Sequence, residues 1–182
     1  MTTAVIPGHW TYEDYYNLDD GQRYEVIEGE LIVAPAPSFK HQEVITRLVR
    51  LISNYVYEKE VGKVVASPVD VVLRKDIVLQ PDIIYISHKN MGIVRDAGVF
   101  GTPDIIIEVL SPASVYRDMQ VKKNIYERFG IQEYWIVFPD EKVIEIFTLD
   151  KGRYALISSA EKAGKIVSQV LGMEIDIKDV FQ

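Results

Sequence analysis

The stretch TPDIIIEVLSP, Thr102–Pro112, decides the fold because it predicts a central strand that carries a charge. Side chains alternate along a strand, and both faces of this one carry branched apolar residues, which is typical of a strand covered on both sides. Glu108 shares its face with Asp104, Ile106 and Leu110. A buried carboxylate without a partner is very unfavourable, so we expect Glu108 to have one. The simplest alternative is a glutamate at a strand end, paired with a nearby Arg or Lys.

Composition limits the class of protein. The 182 residues predict one domain over 1–182, and the 48% apolar content is enough for a sizeable core. The chain has no cysteine, which excludes disulfides and thiolate sites and suits a cytoplasmic location. No apolar stretch is long enough to span a bilayer. The net charge of −7 argues against constitutive, metal-free DNA binding, but less against an enzyme whose bound cation supplies positive charge.

Hydrophobic periodicity predicts a mixed order of strands and helices. The predicted elements are a hairpin over 23–34, a helix from Ser38 to about Lys59, strands over 62–74 and 78–87, a polar loop over 88–101, the opening strand, a helix from about Ser114 to Phe129, a strand over 133–138, and a hairpin over 142–158. This order favours an α/β (α+β) fold with a mixed central sheet flanked by helices, an N-terminal hairpin and a C-terminal β-hairpin. The sequence contains no glycine-rich phosphate loop.

The helix after the opening strand carries charges on its apolar side. At about 100° per residue, Lys122 projects close to the middle of the apolar face, and Asp118 lies one turn before it. An Asp/Lys pair at this spacing is often only a modest helix pair on a solvated face. Here the pair points toward the sheet that carries Glu108, which favours a functional site while leaving a structural ion pair open.

A second acid begins the preceding strand. Asp82 follows Pro81 in QPDIIYIS, and neighbouring strands lie about 4.8 Å apart, so Asp82 and Glu108 could converge on one divalent cation. Two carboxylates, a backbone carbonyl and waters suit Mg²⁺ or Mn²⁺. The Pro-Asp dipeptide is a weak signal by itself, because Pro103-Asp104 repeats it; we interpret Asp104 as a residue that begins its strand.

Two further side chains fall near this region. His41 projects at the centre of the apolar stripe in the first turn of the long helix, where a site role and a core histidine with a backbone partner remain equal alternatives. Lys89 and Arg95 lie in the predicted 88–101 loop, which either approaches the strand or is an ordinary solvated connection.

The combined pattern of Pro-Asp on one strand, an acid on the next and a lysine directed at both resembles the PD-(D/E)XK nuclease superfamily, the restriction-endonuclease-like fold. Residues of about 38–138 follow the core order of that fold: helix, three strands, helix, strand. The chain is more closely similar to the Uma-two-type family of bacterial endonucleases. The stretches that carry this similarity are RYEVIEGELIVAPAPSFKHQ, QPDIIYIS, TPDIIIEVLSP and RDMQVKKNIYERFGIQEYWIV.

The resemblance implies a metal-dependent endonuclease that acts on nucleic acid, with DNA favoured, and leaves a 5′-phosphate. It makes Asp82 and Glu108 catalytic metal ligands, with the Val109 carbonyl as a third, and Lys122 the catalytic lysine. The superfamily lysine should lie two residues after the acid, where this chain has Leu110; in the closer family it has moved to the following helix. Glu25 and His41 also fall in the similar stretches, and a homodimer is expected because related nucleases often pair.

Two other functions remain open at this level. A catalytically inactive nuclease fold that acts as a binding or regulatory module would agree with the negative charge and the displaced lysine. A metal-free enzyme with paired carboxylates, such as a glycosidase, would need two acids that flank a sugar-sized cleft, and it would give Lys122 no role.

Overall fold

The computed structural model describes residues 5–34, 36–111 and 117–182, with side chains from residue 120 onward in the last segment. Its strands in chain order are β1 (Val5–Ile6), β2 (Tyr24–Ile27), β3 (Glu30–Val33), β4 (Gly62–Ala66), β5 (Val71–Arg74), β6 (Ile77–Leu79), β7 (Ile83–Ser87), β8 (Val94–Arg95), β9 (Gly98–Phe100), β10 (Ile105–Val109), β11 (Glu133–Phe138), β12 (Val143–Asp150), β13 (Arg153–Glu161), β14 (Lys165–Ser168) and β15 (Met173–Asp176). Its α-helices are α1 (Tyr12–Tyr16), α2 (Phe39–Glu58) and α3 (Lys123–Phe129). A π-helical segment, Arg117–Lys122, leads directly into α3, and 3₁₀ turns cover His88–Ile93 and Ile177–Asp179.

The described strands form two large mixed sheets and one small hairpin. The first sheet has the order β1-β3-β2-β6-β5-β9-β8, and the second has the order β13-β12-β11-β10-β7-β4. One neighbouring pair in each sheet is parallel, β5 with β9 and β10 with β11. β14 and β15 pair with each other. This arrangement confirms the predicted α+β class with a mixed central sheet flanked by helices.

The long helix α2 follows its sequence pattern closely. Ser38 caps the N-terminus, since its hydroxyl accepts the N–H of His41. The buried residues of the helix recur at the spacing of one helical face: Val44, Ile45, Leu48, Ile52 and Val56. This face packs on one side of the second sheet, against residues such as Ile105 and Ile107 of β10.

The other side of β10 faces the first sheet. Ile106 and Leu110 pack there with Ile125 and Tyr126 of α3, and with residues of the first sheet such as Ile77. All five residues of β10 are buried, as expected for a strand covered on both sides. The side chain of Glu108 therefore projects into the layer between the two sheets.

Two predicted strands are each divided in the structure. The stretch 62–74 forms β4 in the second sheet and β5 in the first; likewise the stretch 78–87 forms the end of β6 in the first sheet and β7 in the second. Each division falls at a proline, Pro68 or Pro81, which has no N–H for a strand ladder. The predicted 88–101 loop is also more ordered than expected, because it contains a 3₁₀ turn and the short strands β8 and β9.

Glu133, at the start of β11, is a fully buried acid that the sequence did not single out. One carboxyl oxygen accepts the Trp135 indole N–H at 3.0 Å and the Ser168 hydroxyl at 2.7 Å. The other accepts the backbone N–H groups of Gln169 at 2.6 Å and Val170 at 2.8 Å. Four donors therefore stabilise this carboxyl group and fasten the end of β14 to the second sheet.

Helix length bears on any contact with a lipid bilayer. Among the described ranges, no helix is both long and apolar enough to cross a membrane.

We expect Glu133→Ala to lower the free energy of unfolding by about 3 kcal/mol, because four donors, two of them fully buried, lose their acceptor. Urea denaturation measures this change, and hydrogen exchange should show lost protection at the amides of Gln169 and Val170. The matched control is Glu174→Ala in the β14–β15 hairpin that Glu133 fastens. Its exposed pair with Lys165 should contribute at most about 0.5 kcal/mol to the free energy of unfolding. Equal stability of the two variants would contradict the anchoring role.

Candidate active site

Asp82 and Glu108 lie on neighbouring antiparallel strands. The ladder between β7 and β10 pairs Ile83 with Ile107, and one further step along this register sets Asp82 opposite Glu108. Opposite residues in an antiparallel pair project from the same face. Asp82 is directly before β7, and Pro81 before it marks the point where the chain passes between sheets. The register thus brings the two predicted acids to one end of the inner layer.

Lys122 joins two acids from different sheets. Its Nζ lies 3.0 Å from Oε1 of Glu108 and 2.8 Å from Oε1 of Glu25. Glu25 comes from β2 of the first sheet, and its Oε1 also accepts the backbone N–H of Gln80 at 2.9 Å. The exposed fractions are small, 3% for each glutamate and 5% for the lysine. Charges this deeply buried persist only with close partners, and here the ammonium group supplies a partner for both carboxylates.

Tyr126 adds a neutral donor to the same carboxylate. Its hydroxyl donates to Oε1 of Glu108 at 2.7 Å, one helical turn after Lys122. Burial raises the pKa of Tyr126 well above its ordinary value, and the adjacent charge of Glu108 raises it further. The phenol therefore keeps its proton and remains a donor to Glu108 throughout the neutral range.

Two groups contact the Asp82 carboxylate, one from β10 and one from α2. Its Oδ2 accepts the backbone N–H of Val109 at 2.8 Å and lies 3.2 Å from Nε2 of His41. His41 reaches it from the first turn of α2, while Val109 ends β10 directly after Glu108. The contact thus places His41 beside an acid of the predicted site.

The structure brings the side chains predicted from the sequence together in two groups. Lys122, Glu108 and Glu25 are in direct contact, Asp82 bonds to the residue after Glu108, and His41 contacts Asp82. The side chain of Asp118 lies outside the described residues, so its predicted pairing with Lys122 stays a prediction. The helix itself differs from the expected continuous α-helix, because Arg117–Lys122 is π-helical and α3 begins at Lys123. Its predicted start near Ser114 lies outside the described residues. π-Helical turns are rare and often occur at functional sites.

Asp104 has the structural role expected of it. Its carboxylate accepts the N–H of Ser87 at 2.8 Å and the side-chain amide of Asn90 at 3.1 Å, so it closes the opposite end of the β7–β10 pair.

Two contributors to the site were missed by sequence reasoning. The Tyr126 hydroxyl is one of them, and its position four residues after Lys122 was the available signal for a polar contact. Gln80 acts through its backbone N–H, which any non-proline residue would supply, so residue type carried no signal.

The donor chemistry of the site fits a divalent cation. The groups of three or more His, Cys, Asp and Glu side chains that typify a preformed metal centre are absent from the described residues. The predicted ligand set is smaller, two carboxylates and a backbone carbonyl, and it consists of the hard oxygen atoms that Mg²⁺ and Mn²⁺ prefer. Among the described residues, Glu108 and Glu25 share the Lys122 ammonium group, and a cation would add positive charge beside them.

Comparison with known proteins identifies the fold and the family. The crystal structure of a putative nuclease belonging to DUF820 from Anabaena variabilis ATCC 29413 has a similar fold, with a TM-score of 0.78 and 20% sequence identity. The match covers 94% of this chain and 97% of that one. No curated protein matches the chain in sequence. The family model Uma2, described as "putative restriction endonuclease", matches residues 11–178. This chain therefore belongs to the Uma2 family of nuclease-fold proteins.

Proposed function

We propose that this protein is a metal-dependent endonuclease that hydrolyses phosphodiester bonds in nucleic acid, with DNA as the favoured substrate. The observation that carries the proposal is the position of Lys122, buried between Glu108 and Glu25 beside the strand end where Asp82 is held. A lysine and acids gathered at one point of this fold agree with the nuclease description of the family.

Asp82, Glu108 and the Val109 carbonyl would hold the Mg²⁺ or Mn²⁺ ion. When bound, the ion supplies Lewis-acid stabilisation of the phosphodiester and lowers the pKa of a coordinated water. Lys122 then orients the attacking water or stabilises the negative charge that develops on the phosphoryl oxygens. Glu25 positions Lys122, and His41 positions Asp82.

One observation favours the inactive alternative. The Lys122 ammonium group already contacts two carboxylates and is almost fully buried, so it has little access to a phosphate in this arrangement. A binding or regulatory module would keep the same contacts for stability alone. Cleavage assays separate the two functions.

We expect Asp82→Asn and Lys122→Met to reduce cleavage by at least about 100-fold, since each removes charge from the reacting centre. The assay incubates purified protein with single- and double-stranded DNA and RNA, with Mg²⁺ or Mn²⁺ and then with chelator. Asp150→Asn and Lys165→Met, both exposed, are the matched controls and should cut like the parent. Cleavage by the site variants at the parental rate would identify a contaminant, and absence of cleavage by the parent on every substrate would favour the inactive module.

Metal binding can be tested apart from catalysis. A ligand that binds only the folded state stabilises it by about 2.7 kcal/mol at 100 times its Kd, so Mn²⁺ should raise the Tm of the parent. The increment should disappear in the double variant Asp82→Asn/Glu108→Gln and persist in the exposed control Glu174→Gln. For each protein, the Tm with Mn²⁺ is compared with the Tm of the same protein without metal, so that a change in basal Tm does not enter the comparison. An undiminished increment in the double variant would locate the cation elsewhere.

Tyr126 should make stability depend on alkaline pH. An unfolded tyrosine ionises at about pH 10, whereas burial keeps Tyr126 protonated in the folded state. Above this pH, unfolding releases a proton, so the free energy of unfolding falls as the pH rises. Tyr126→Phe should therefore lose less stability than the parent between about pH 9 and pH 11, by at most about 1.4 kcal/mol per pH unit. Urea denaturation at both pH values measures the difference, and the other tyrosines cancel because both proteins contain them. Equal pH dependence would mean that Tyr126 is not held as its contacts indicate.

A further inference from the structure

A cavity of about 330 Å³ lies beside the proposed active site, where the two sheets part near β4, β7 and the β8–β9 hairpin. Two parts of its lining are connected to site residues by hydrogen bonds. Gln80 lines the cavity, and its backbone N–H holds the Glu25 carboxylate. Pro68 also lines it, and the preceding Ser67 donates its N–H to the Asp82 carbonyl at 2.9 Å. The cavity lining is therefore hydrogen-bonded, through Gln80, to an acid of the site.

The inner wall presents hydrogen-bond acceptors. Oδ1 of Asp70 accepts the Gln80 side-chain N–H at 2.9 Å and the Tyr15 hydroxyl at 3.1 Å. These bonds fix the orientation of the Gln80 amide, since its NH₂ group must face the carboxylate. Its Oε1 atom is buried and accepts no hydrogen bond from any residue that the structure describes. The wall thus offers the partly exposed Asp70 carboxylate to a ligand that carries N–H donors.

The rim of the cavity carries exposed cations. Lys63 of β4 and Arg95 of β8 both line it, with Asp96 beside them as an exposed acid. The Arg95 guanidinium lies 4.4 Å from the centre of the Phe100 ring, a stacking contact that holds it in place. In a chain with a net charge of −7, two cations at one opening are suited to an anionic group.

The remaining walls are apolar and the volume is small. Val69, Ile86 and Val99 contribute branched side chains to the lining. Ligand pockets span about 300–1,000 Å³, so this one accepts a single small group and not a duplex. Apolar walls, N–H acceptors inside and cations at the rim together match a flat heteroaromatic base that carries an amino group and is attached to a phosphate.

We propose that this cavity binds one unpaired nucleotide of the substrate strand, with its amino-bearing base inside and its phosphate against Lys63 and Arg95. The inference rests on the proposed endonuclease function, because it assigns the part of the substrate next to the scissile bond. It makes single-stranded or locally opened nucleic acid the substrate, as enzymes that hold a base in a pocket require an unstacked nucleotide. Adenine, cytosine and guanine carry the exocyclic amino group, whereas thymine does not.

Fluorescence anisotropy in chelator tests binding without cleavage, with labelled single strands of deoxyadenosine, deoxycytidine and thymidine as probes. The parent should prefer the amino-bearing strands, and Asp70→Asn should bring their affinity down to that of the thymidine strand. Lys63→Met/Arg95→Met should weaken binding to all strands about tenfold and reduce the salt dependence by about 0.7 per lost phosphate contact. Lys142→Met/Lys165→Met, at exposed positions away from the cavity, is the charge-matched control and should bind like the parent.

Ala97→Trp provides a second variant that leaves the polar wall intact. Ala97 lines the cavity at the exposed β8–β9 turn, so a bulky side chain there should block the opening without disturbing Asp70 or Gln80. Binding should fall at least tenfold while the Tm stays unchanged. Parental affinity of Ala97→Trp, lack of base preference in the parent, or a free mononucleotide that binds as tightly as the strand would each overturn the proposal.

The two proposals fail separately. If Asp82→Asn abolishes cutting while the cavity variants bind and cut like the parent, the endonuclease function stands and the nucleotide site is wrong. If strands bind through the cavity but no substrate is cut, the nucleotide site is a binding site of an inactive protein and the endonuclease function is wrong.

Discussion

The contact of Lys122 with Glu25 and Glu108 is the interaction on which the rest of the structure depends. It joins one strand from each large sheet through a residue at the start of α3, inside the layer between them. Removing one partner from a buried ionic group typically costs about 3–5 kcal/mol, because the remaining charge is left without compensation. An apolar trio of the same volume could stabilise the fold equally well. The ionic trio therefore has to be kept or replaced as a whole.

Pro81, one of the two prolines that divide the predicted strands, also positions a residue of the site. At Pro81 the chain leaves the first sheet, and the next residue, Asp82, begins the approach to β7. The Asp82 carboxylate accepts a hydrogen bond from the N–H of Val109. It therefore replaces the backbone carbonyl that would otherwise accept this N–H in a regular strand ladder. The site is thus located where regular strand pairing ends and side chains complete the hydrogen bonding.

The local sequence pattern predicted the secondary-structure elements better than it predicted the contacts between them. The spacing of apolar residues in α2 and the alternation in β10 are set by helix and strand geometry, so the sequence indicated both, and with them the burial of Glu108 and Lys122. The contact of Glu25 with Lys122 joins two sheets, and the four donors to Glu133 come from separate elements. Such contacts depend on tertiary packing, for which no short stretch of sequence carries a signal. Glu25 entered the prediction only through family resemblance.

The distribution of charge explains how an acidic chain could approach nucleic acid. At the buried centre, the carboxylates of Glu25 and Glu108 share the Lys122 ammonium group. An anionic strand would be repelled by these acids unless a cation neutralised them or cations elsewhere held the strand. Lys63 and Arg95 at the neighbouring cavity meet the second condition, and Gln80 connects that cavity to Glu25 through a single residue. Gln80 therefore physically links the lining of the cavity to the Glu25 carboxylate.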